Sequence, residues 1–578
     1  MTDEREFRPR LGRSRSNRAR AERPFAAMVL AAARQAGGPS RAGRGGGPSR
    51  SRFGRGRIAS TVADRNLTGR SRRVTVKTRI VRRSAKTAAL ATHLGYLRRE
   101  GVTRDGERAE LFGPDPGPVD AAAFAERCRD DRHHFRIIVS PEDAAALADL
   151  RGFGRELVEQ MEKDLGTRLD WVAVDHWNTG HPHLHILVRG VTDKGEDLVI
   201  VRDYLNGGLR ARAQDLATLE LGPRTDHEIQ VSLERQVGAE RWTDLDRALQ
   251  RESGRRGGID LAPRAGQQPD PAQVMKIGRL RHLEGLGLAH EIGGGQWILD
   301  EAAEPALRAL GERGDIIRRI HRGLTARGAE RSTSSFVVTG EDQSRPVVGR
   351  LLDRGLDDEL AGSAYAIVDG VDGKVHHLRL PDLALAGDGP IGSVVELRRF
   401  EDSRGRQRVA LAVRSDHSIE DQVKAEGATW LDRQLVAKEP LSLAQTGFGA
   451  EARAALRRRA EQLIERGLAE RQAGRILFAW GLIGRLRRDE LDRAGERLAA
   501  ETGLSFQRGS EGEPVAGVYR QRLSLASGRF AMIDDGLGFQ LVPWEPSIEK
   551  ELGRPVFGMA RADGGIAWSL SRDRGLSR

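Results

Sequence analysis

Residues 170–190 read DWVAVDHWNTGHPHLHILVRG. Two alternating apolar runs, 170–176 and 183–190, flank six residues rich in turn formers, which predicts a β-hairpin. Side chains alternate across a strand, so His183 and His185 share one face while Leu184 and Ile186 take the other. On the preceding strand Val172, Val174 and His176 share a face, and the loop can bring His176 level with His183 and His185. Three imidazoles on one sheet face can bind a divalent metal and leave coordination positions open for water or substrate. A solvated histidine-rich hairpin is the bland alternative. It is disfavoured because the third histidine sits on a strand whose other face reads as buried.

Outward from the hairpin, VTVKTRIVR (74–82) alternates as a strand and SAKTAALATHLGYLRREG (84–101) reads as a helix ending at Gly101. GPDPGP (113–118) is a loop and FRIIVS (135–140) a buried-type strand. Ser140-Pro141-Glu142-Asp143 looks like a capping box, which predicts a helix running to about Leu165. Residues 208–221 are helical in pattern. The sequence therefore predicts an α+β domain with an antiparallel sheet carrying a His-hydrophobe-His motif.

The 578-residue chain is too long for one core. A single cysteine, Cys128, excludes a disulfide scaffold and a multi-cysteine zinc site, and fits a reducing cytoplasm. No apolar stretch approaches the length of a membrane span and no secretory signal is visible. The formal charge of +12 is unevenly placed: 24 basic against five acidic residues put +19 on residues 1–86, leaving −7 for the other 492. Residues 1–73 are rich in Arg, Gly and Ser and are expected to be disordered, as a basic arm for phosphate contacts or as an export-related extension.

Residues 253–272 read as a linker after a domain spanning 74–252. Beyond it, Leu283, Gly287, Leu288 and Ala289 match Leu463, Gly467, Leu468 and Ala469 at a constant offset of 180, each group followed by a short hairpin. This predicts winged-helix-like units at 273–335 and 421–515, a small β domain at 336–420 and a β-rich end at 516–578.

GYLRREG, HHFRIIVSPEDA and HWNTGHPHLHILV, in that order, resemble the three motifs of conjugative relaxases, most closely the P-type mobilisation group that includes the T-DNA border endonuclease. The resemblance covers roughly residues 75–250, and the C-terminal half looks like the companion region of large relaxases. It implies a relaxase palm in which Tyr96 attacks a scissile DNA phosphate while His176, His183 and His185 hold a divalent ion, magnesium or manganese before zinc. It implies that Ser140 helps to hold DNA. Arg98 and Arg99 beside Tyr96, and Trp177 in the loop, are further candidate DNA contacts. Close relatives have an acid where this chain has Asn178, a partner orienting a ligand; Asp175, Glu142 and Asp143 are possible substitutes.

The implied activity is strand-specific nicking at a transfer origin, with a 5′-phosphotyrosyl link to single-stranded or extruded DNA. Implied partners are accessory relaxosome proteins, a type IV coupling protein and its secretion system, with no membrane insertion. The implied place is the donor cytoplasm, followed by export with the DNA. Three rivals stand beside it. One is a rolling-circle replication initiator using Tyr204. Another is a non-catalytic nucleic-acid binder. The third, a metal-dependent hydrolase, lacks a paired acid beside the histidines.

Overall fold

The computed structural model describes residues 55, 56, 59, 69–82, 90–99, 102–104, 107–177, 181–256, 258–262, 270–339, 346–401, 405–472, 474–509, 512–561 and 565–569. Most of the expected basic tail, and Asn178, lie outside them. The chain divides into two compact units, 1–235 and 236–578.

The first unit is built on an antiparallel sheet of β1 (Val74–Arg82), β2 (His133–Pro141), β3 (Trp171–His176) and β4 (His183–Arg189), in the order β1-β2-β4-β3. One face carries Phe135, Ile137, Val139, Ala173, Leu184, Ile186 and Val188 against α3 (Leu150–Leu165) and α4 (Leu209–Leu221). Gly154 lets α3 lie close to the sheet, since a Cβ there would stand 2.8 Å from the Leu184 side chain. The other face is half covered. Over β3 and β4 lie α1 (Leu90–Leu97) and α2 (Ala121–Arg127), with Leu94, Leu97 and Phe124 packed on Val172, Val174 and Leu187. Each such fully buried aliphatic side chain contributes ~1.5–3 kcal/mol.

The Ser140 helix start is corrected. Ser140 and Pro141 complete β2, and α3 begins only at Leu150, where the Asp149 carboxylate accepts from the Arg151 amide. The β1–β2 ladder continues through Ser140 and Pro141, and these long-range hydrogen bonds outcompete a local cap. Glu142 and Asp143 are thus turn residues, and Asp143 pairs with Arg72.

The second unit repeats itself. QVGAERWTDLDRAL (236–249) and QVKAEGATWLDRQL (422–435) share nine of 14 residues. Each leads into a helix, a hairpin, a long helix and a six-stranded sheet. In the first copy these are α7 (Pro271–Gly285), β6 (Ala289–Gly293) with β7 (Gln296–Leu299), and α8 (Ala303–Thr325). Its sheet runs β13 (Gln407–Ser415), β12 (Val394–Glu401), β9 (Val348–Asp358), β10 (Ser363–Gly370), β11 (Val375–Leu380), β8 (Phe336–Thr339). In the second copy they are α11 (Gly447–Glu465), β14 (Ala469–Gln472) with β15 (Arg475–Phe478), and α12 (Leu482–Thr502). Its sheet runs β21 (Ile566–Trp568), β20 (Pro555–Ala560), β17 (Pro514–Leu525), β18 (Gly528–Asp534), β19 (Gly538–Pro543), β16 (Ser505–Phe506), the same order strand for strand. Gly349 and Gly517 occupy matching places, because a Cβ would meet the Asp369 carbonyl in one copy and the Asp534 carbonyl in the other.

Two buried arginines pin the copies. Arg279 on α7 bonds both Asp246 oxygens and the carbonyls of Val237, Ala239 and Arg241. Arg459 on α11 bonds both Asp432 oxygens and the carbonyls of Val423, Ala425 and Gly427. Part of the expected linker over 253–272, residues 257 and 263–269, lies outside the described residues, and ordered structure reaches into the rest. Helix α6 (Asp244–Arg256) extends into it, and β5 (Ile259–Asp260) pairs with β7.

Candidate metal centre and nucleic-acid interface

The hairpin register sets the site. β3 and β4 pair His176 with His183 and Val174 with His185, so the three imidazoles fall on one sheet face. Their ring centroids are 4.5–5.4 Å apart and all three residues are buried. His176 Nε2 donates to the Leu97 carbonyl at 2.8 Å, leaving Nδ1 as an unprotonated lone pair. That Nδ1 is buried with no hydrogen-bond partner among the described residues. His183 Nδ1 donates to the His181 carbonyl at 2.9 Å, which leaves its Nε2 as an acceptor, 3.1 Å from His185 Nε2.

Ligand atoms of the three histidines lie within 4.8 Å of one another. The unmet His176 Nδ1 beside two more imidazole nitrogens suits a cation, and backbone carbonyls orient the His176 and His183 rings as they do around metal-bound histidines. Burial, then the neighbouring His185, pushes His176 down to about 2, so its ring is neutral, the form that ligates metal. The histidine group could therefore hold a metal ion.

Tyr96 sits on α1 immediately before Leu97, whose carbonyl receives His176. It is half-buried, packs at the edge of the Leu94–Val174 core, and carries the Arg99 guanidinium 4.1 Å over its ring. Arg98 has a buried Nε without a partner among the described residues. Ser140 lies on the histidine face, and its hydroxyl donates to the Pro182 carbonyl at 3.5 Å, bracing the loop before His183. Trp177 follows His176 and is stacked under Arg104 at 3.9 Å. Its Nε1 donates to Asp175 at 2.7 Å.

Asp175 points to the opposite face, where Arg151 holds it at 2.8 Å, so it does not replace the acid expected at position 178. Glu142 and Asp143 lie in the turn after β2, with Asp143 held by Arg72. Tyr204 is fully buried and its hydroxyl donates to Asp164 at 3.0 Å; burial pushes this phenol far up. A side chain so enclosed in the core does not reach a nucleic-acid backbone.

Sequence reasoning missed the open half of the histidine face. Lys77 of β1, Ile138 of β2 and His185 of β4 form one cross-strand row, which places Lys77 two strand spacings, roughly 10 Å, from the cluster. The next row holds Arg79 and Arg136, and Thr75, Lys77 and Arg79 are exposed. Burial and the Arg79 charge push Arg136 down to about 10. The alternation of VTVKTRIVR carried this signal, with Lys77 and Arg79 on the non-core phase.

Residues 119–206 match the family model Relaxase, described as MobA/VirD2-like, nuclease domain, and this segment contains all three histidines. The match supports a relaxase, a nuclease that nicks DNA. Residues 276–404 and 398–577 match the family described as Protein of unknown function (DUF3363). Neither a curated protein nor a solved structure matches the chain. No helix among the described residues is long and apolar enough to cross a membrane. With more than half of its length matched, the chain belongs to the DUF3363 family, and the segment that holds its histidine cluster is of the MobA/VirD2-like relaxase type.

Proposed function

We propose that the first unit nicks one DNA strand at a transfer origin by tyrosine transesterification, in the manner of P-type mobilisation relaxases. The observation that carries this reading is the join between α1 and the cluster. Leu97, the residue after Tyr96, is hydrogen-bonded to His176, so the helix bearing the phenol is fastened to the imidazoles. Tyr96 lies N-terminal to the matched segment, and its role rests on this placement.

His176, His183 and His185 would hold a divalent ion, magnesium or manganese before zinc. Such an ion supplies Lewis-acid polarisation of a phosphate oxygen. Arg99, stacked on the Tyr96 ring, places a positive charge beside the attacking phenol where the DNA phosphate would sit. The Tyr96 oxygen forms a bond to phosphorus as the bond from phosphorus to the 3′ oxygen breaks. The phenolic proton leaves to solvent and the 3′ oxygen takes one up. The ester energy is kept, so the 3′-OH can reverse the step and rejoin the strand.

Thr75, Lys77 and Arg79 line the open half of the face, and Lys77 and Arg79 give the strand basic contacts leading to the cluster, with Arg136 buried beside Arg79. Ser140 fixes the hairpin loop, and Trp177 with Arg104 offers a flat surface at its edge. The function implies accessory origin-binding proteins, a type IV coupling protein and export of the DNA-linked chain from the donor cytoplasm.

Incubation with single-stranded origin oligonucleotides and a divalent ion tests the reading. Wild-type protein should yield a covalent adduct that maps to Tyr96, and Tyr96→Phe should yield none while still binding the oligonucleotide. An adduct retained by the variant removes Tyr96 from the mechanism.

A further inference from the structure

The two copies in the second unit keep the same scaffold and differ at one surface. In the first copy Asp300 donates its amide to the Leu288 carbonyl, and in the second Ala479 does so to Leu468, which aligns Asp300 with Ala479 and Glu301 with Trp480. The same alignment sets Glu304 against Ile483, Ala306 against Arg485 and Ala309 against Arg488. At the start of the hairpin's second strand, Gln296 in the first copy corresponds to Arg475 in the second. An acidic edge in one copy is thus an aromatic and basic edge in the other.

Trp480 is 97% exposed, beside Leu477 at 45% and Val436 at 42%. An indole left in water forgoes most of its burial gain, and clustered exposed apolar side chains mark an interaction surface. Val436 and Leu477 line a groove of about 480 Å³ with Ile476, Phe478 and Ile483, and Trp480 lies in the chain between Ala479 and Gly481 of that lining. Arg475, Arg485 and Arg488 are exposed and make no ion pair among the described residues. Gly481, at φ +67°, turns the chain directly after Trp480 into α12. Its left-handed backbone disfavours any side chain there.

We infer that this edge of the second copy is a binding site for single-stranded DNA, with a base stacked on Trp480, its neighbour in the apolar groove, and phosphates on Arg475, Arg485 and Arg488. The charge selects a polyanion over an apolar peptide. The fully exposed indole selects unpaired bases, whose flat faces are free, over a duplex, whose bases are stacked on one another. The choice of DNA rests on the nicking reading of the first unit, and the binding itself does not depend on nicking.

The test uses the full chain in EDTA with a labelled 20-nucleotide thymidine oligomer that contains no nick site. Trp480→Ala should weaken binding about tenfold, and Trp480→Phe should keep most of the affinity. Replacing Arg485 and Arg488 by Gln should lower the salt dependence of log K by about 1.4, or ~0.7 for each phosphate contact. Oligomers carrying bromodeoxyuridine should photo-crosslink to the peptide containing Trp480.

Unchanged affinity in Trp480→Ala, no crosslink at this peptide, or an equal loss on duplex DNA would overturn the assignment. Covalent nicking of a short origin oligonucleotide should be unaffected by Trp480→Ala. Failure of Tyr96 to form an adduct would sink the nicking reading while leaving this binding measurement intact.

Discussion

Arg279 and Arg459 have a partner for every guanidinium nitrogen, whereas His176 keeps a buried ring nitrogen with none. The arginines and their aspartates are fully buried, held also by Thr243 and Thr429, which bond the same carboxylates. A closed network of this kind has nothing left to offer a ligand, and it recurs because both copies need it to fold. His176 is as buried yet leaves its Nδ1 unmet, which is costly unless something fills the place beside it. In this pair, closure goes with architecture, and the unmet His176 nitrogen goes with a place for an ion.

The sharpest way to break this contrast is to remove one half of a pin. Arg459→Leu leaves the Asp432 charge buried without its partner and should destabilise the second unit by about 3–5 kcal/mol. Replacing Arg459 and Asp432 together by apolar residues should recover much of that loss. Denaturant unfolding of the single and double variants measures both. A single-variant loss below about 1 kcal/mol would mean that the pin does not hold the fold.

The histidine cluster should behave in the opposite sense. His176→Ala removes one hydrogen bond to the Leu97 carbonyl and should cost about 1 kcal/mol in EDTA. Adding a divalent ion at a hundredfold excess over its Kd should stabilise the wild-type chain by about 2.7 kcal/mol and leave the variant unmoved. Thermal unfolding with and without manganese, magnesium or zinc reads the difference. Equal stabilisation of both proteins would mean that the ion binds elsewhere.

Much of the first unit was legible because alternation and loop length constrain a hairpin tightly. Given strands at 170–176 and 183–190, His176 has few registers open to it, and the observed pairing is one of these. The helix start at Ser140 was misread because a local cap motif competed with a ladder to β1 that no local pattern reveals. The duplication was legible only in part. The Leu-Gly-Leu-Ala match at offset 180 showed one helix and hairpin, while the sheets are equal in topology and dissimilar in sequence. Loop lengths between the copies differ, so the offset drifts from 186 at Asp246 and Asp432 to 168 at Gly349 and Gly517. Strand order preserves the relation because sheet cores tolerate exchange of one apolar residue for another.

His377 tests whether the two sheets have diverged in chemistry as well as in sequence. It lies on β11 opposite Ile367, where the second copy has Leu541 opposite Met532. It is fully buried, stacked on Tyr365 at 5.4 Å, with neither ring nitrogen hydrogen-bonded among the described residues. Burial pushes it down to about 4, against a partial upward pull from Asp357. An unfolded chain takes up this proton near pH 6.5 and the folded one resists until about 4, so the unfolded state binds more protons across that window. Stability of the first copy should therefore fall as pH drops from 6.5 to 4, by about 2 kcal/mol at pH 5 from this residue. His377→Leu installs the second copy's residue and should flatten that dependence, leaving the rest of the acid profile in place. Unfolding curves at pH 7, 6 and 5 measure it, and parallel losses in wild type and variant would show that His377 is not the acid-sensitive group.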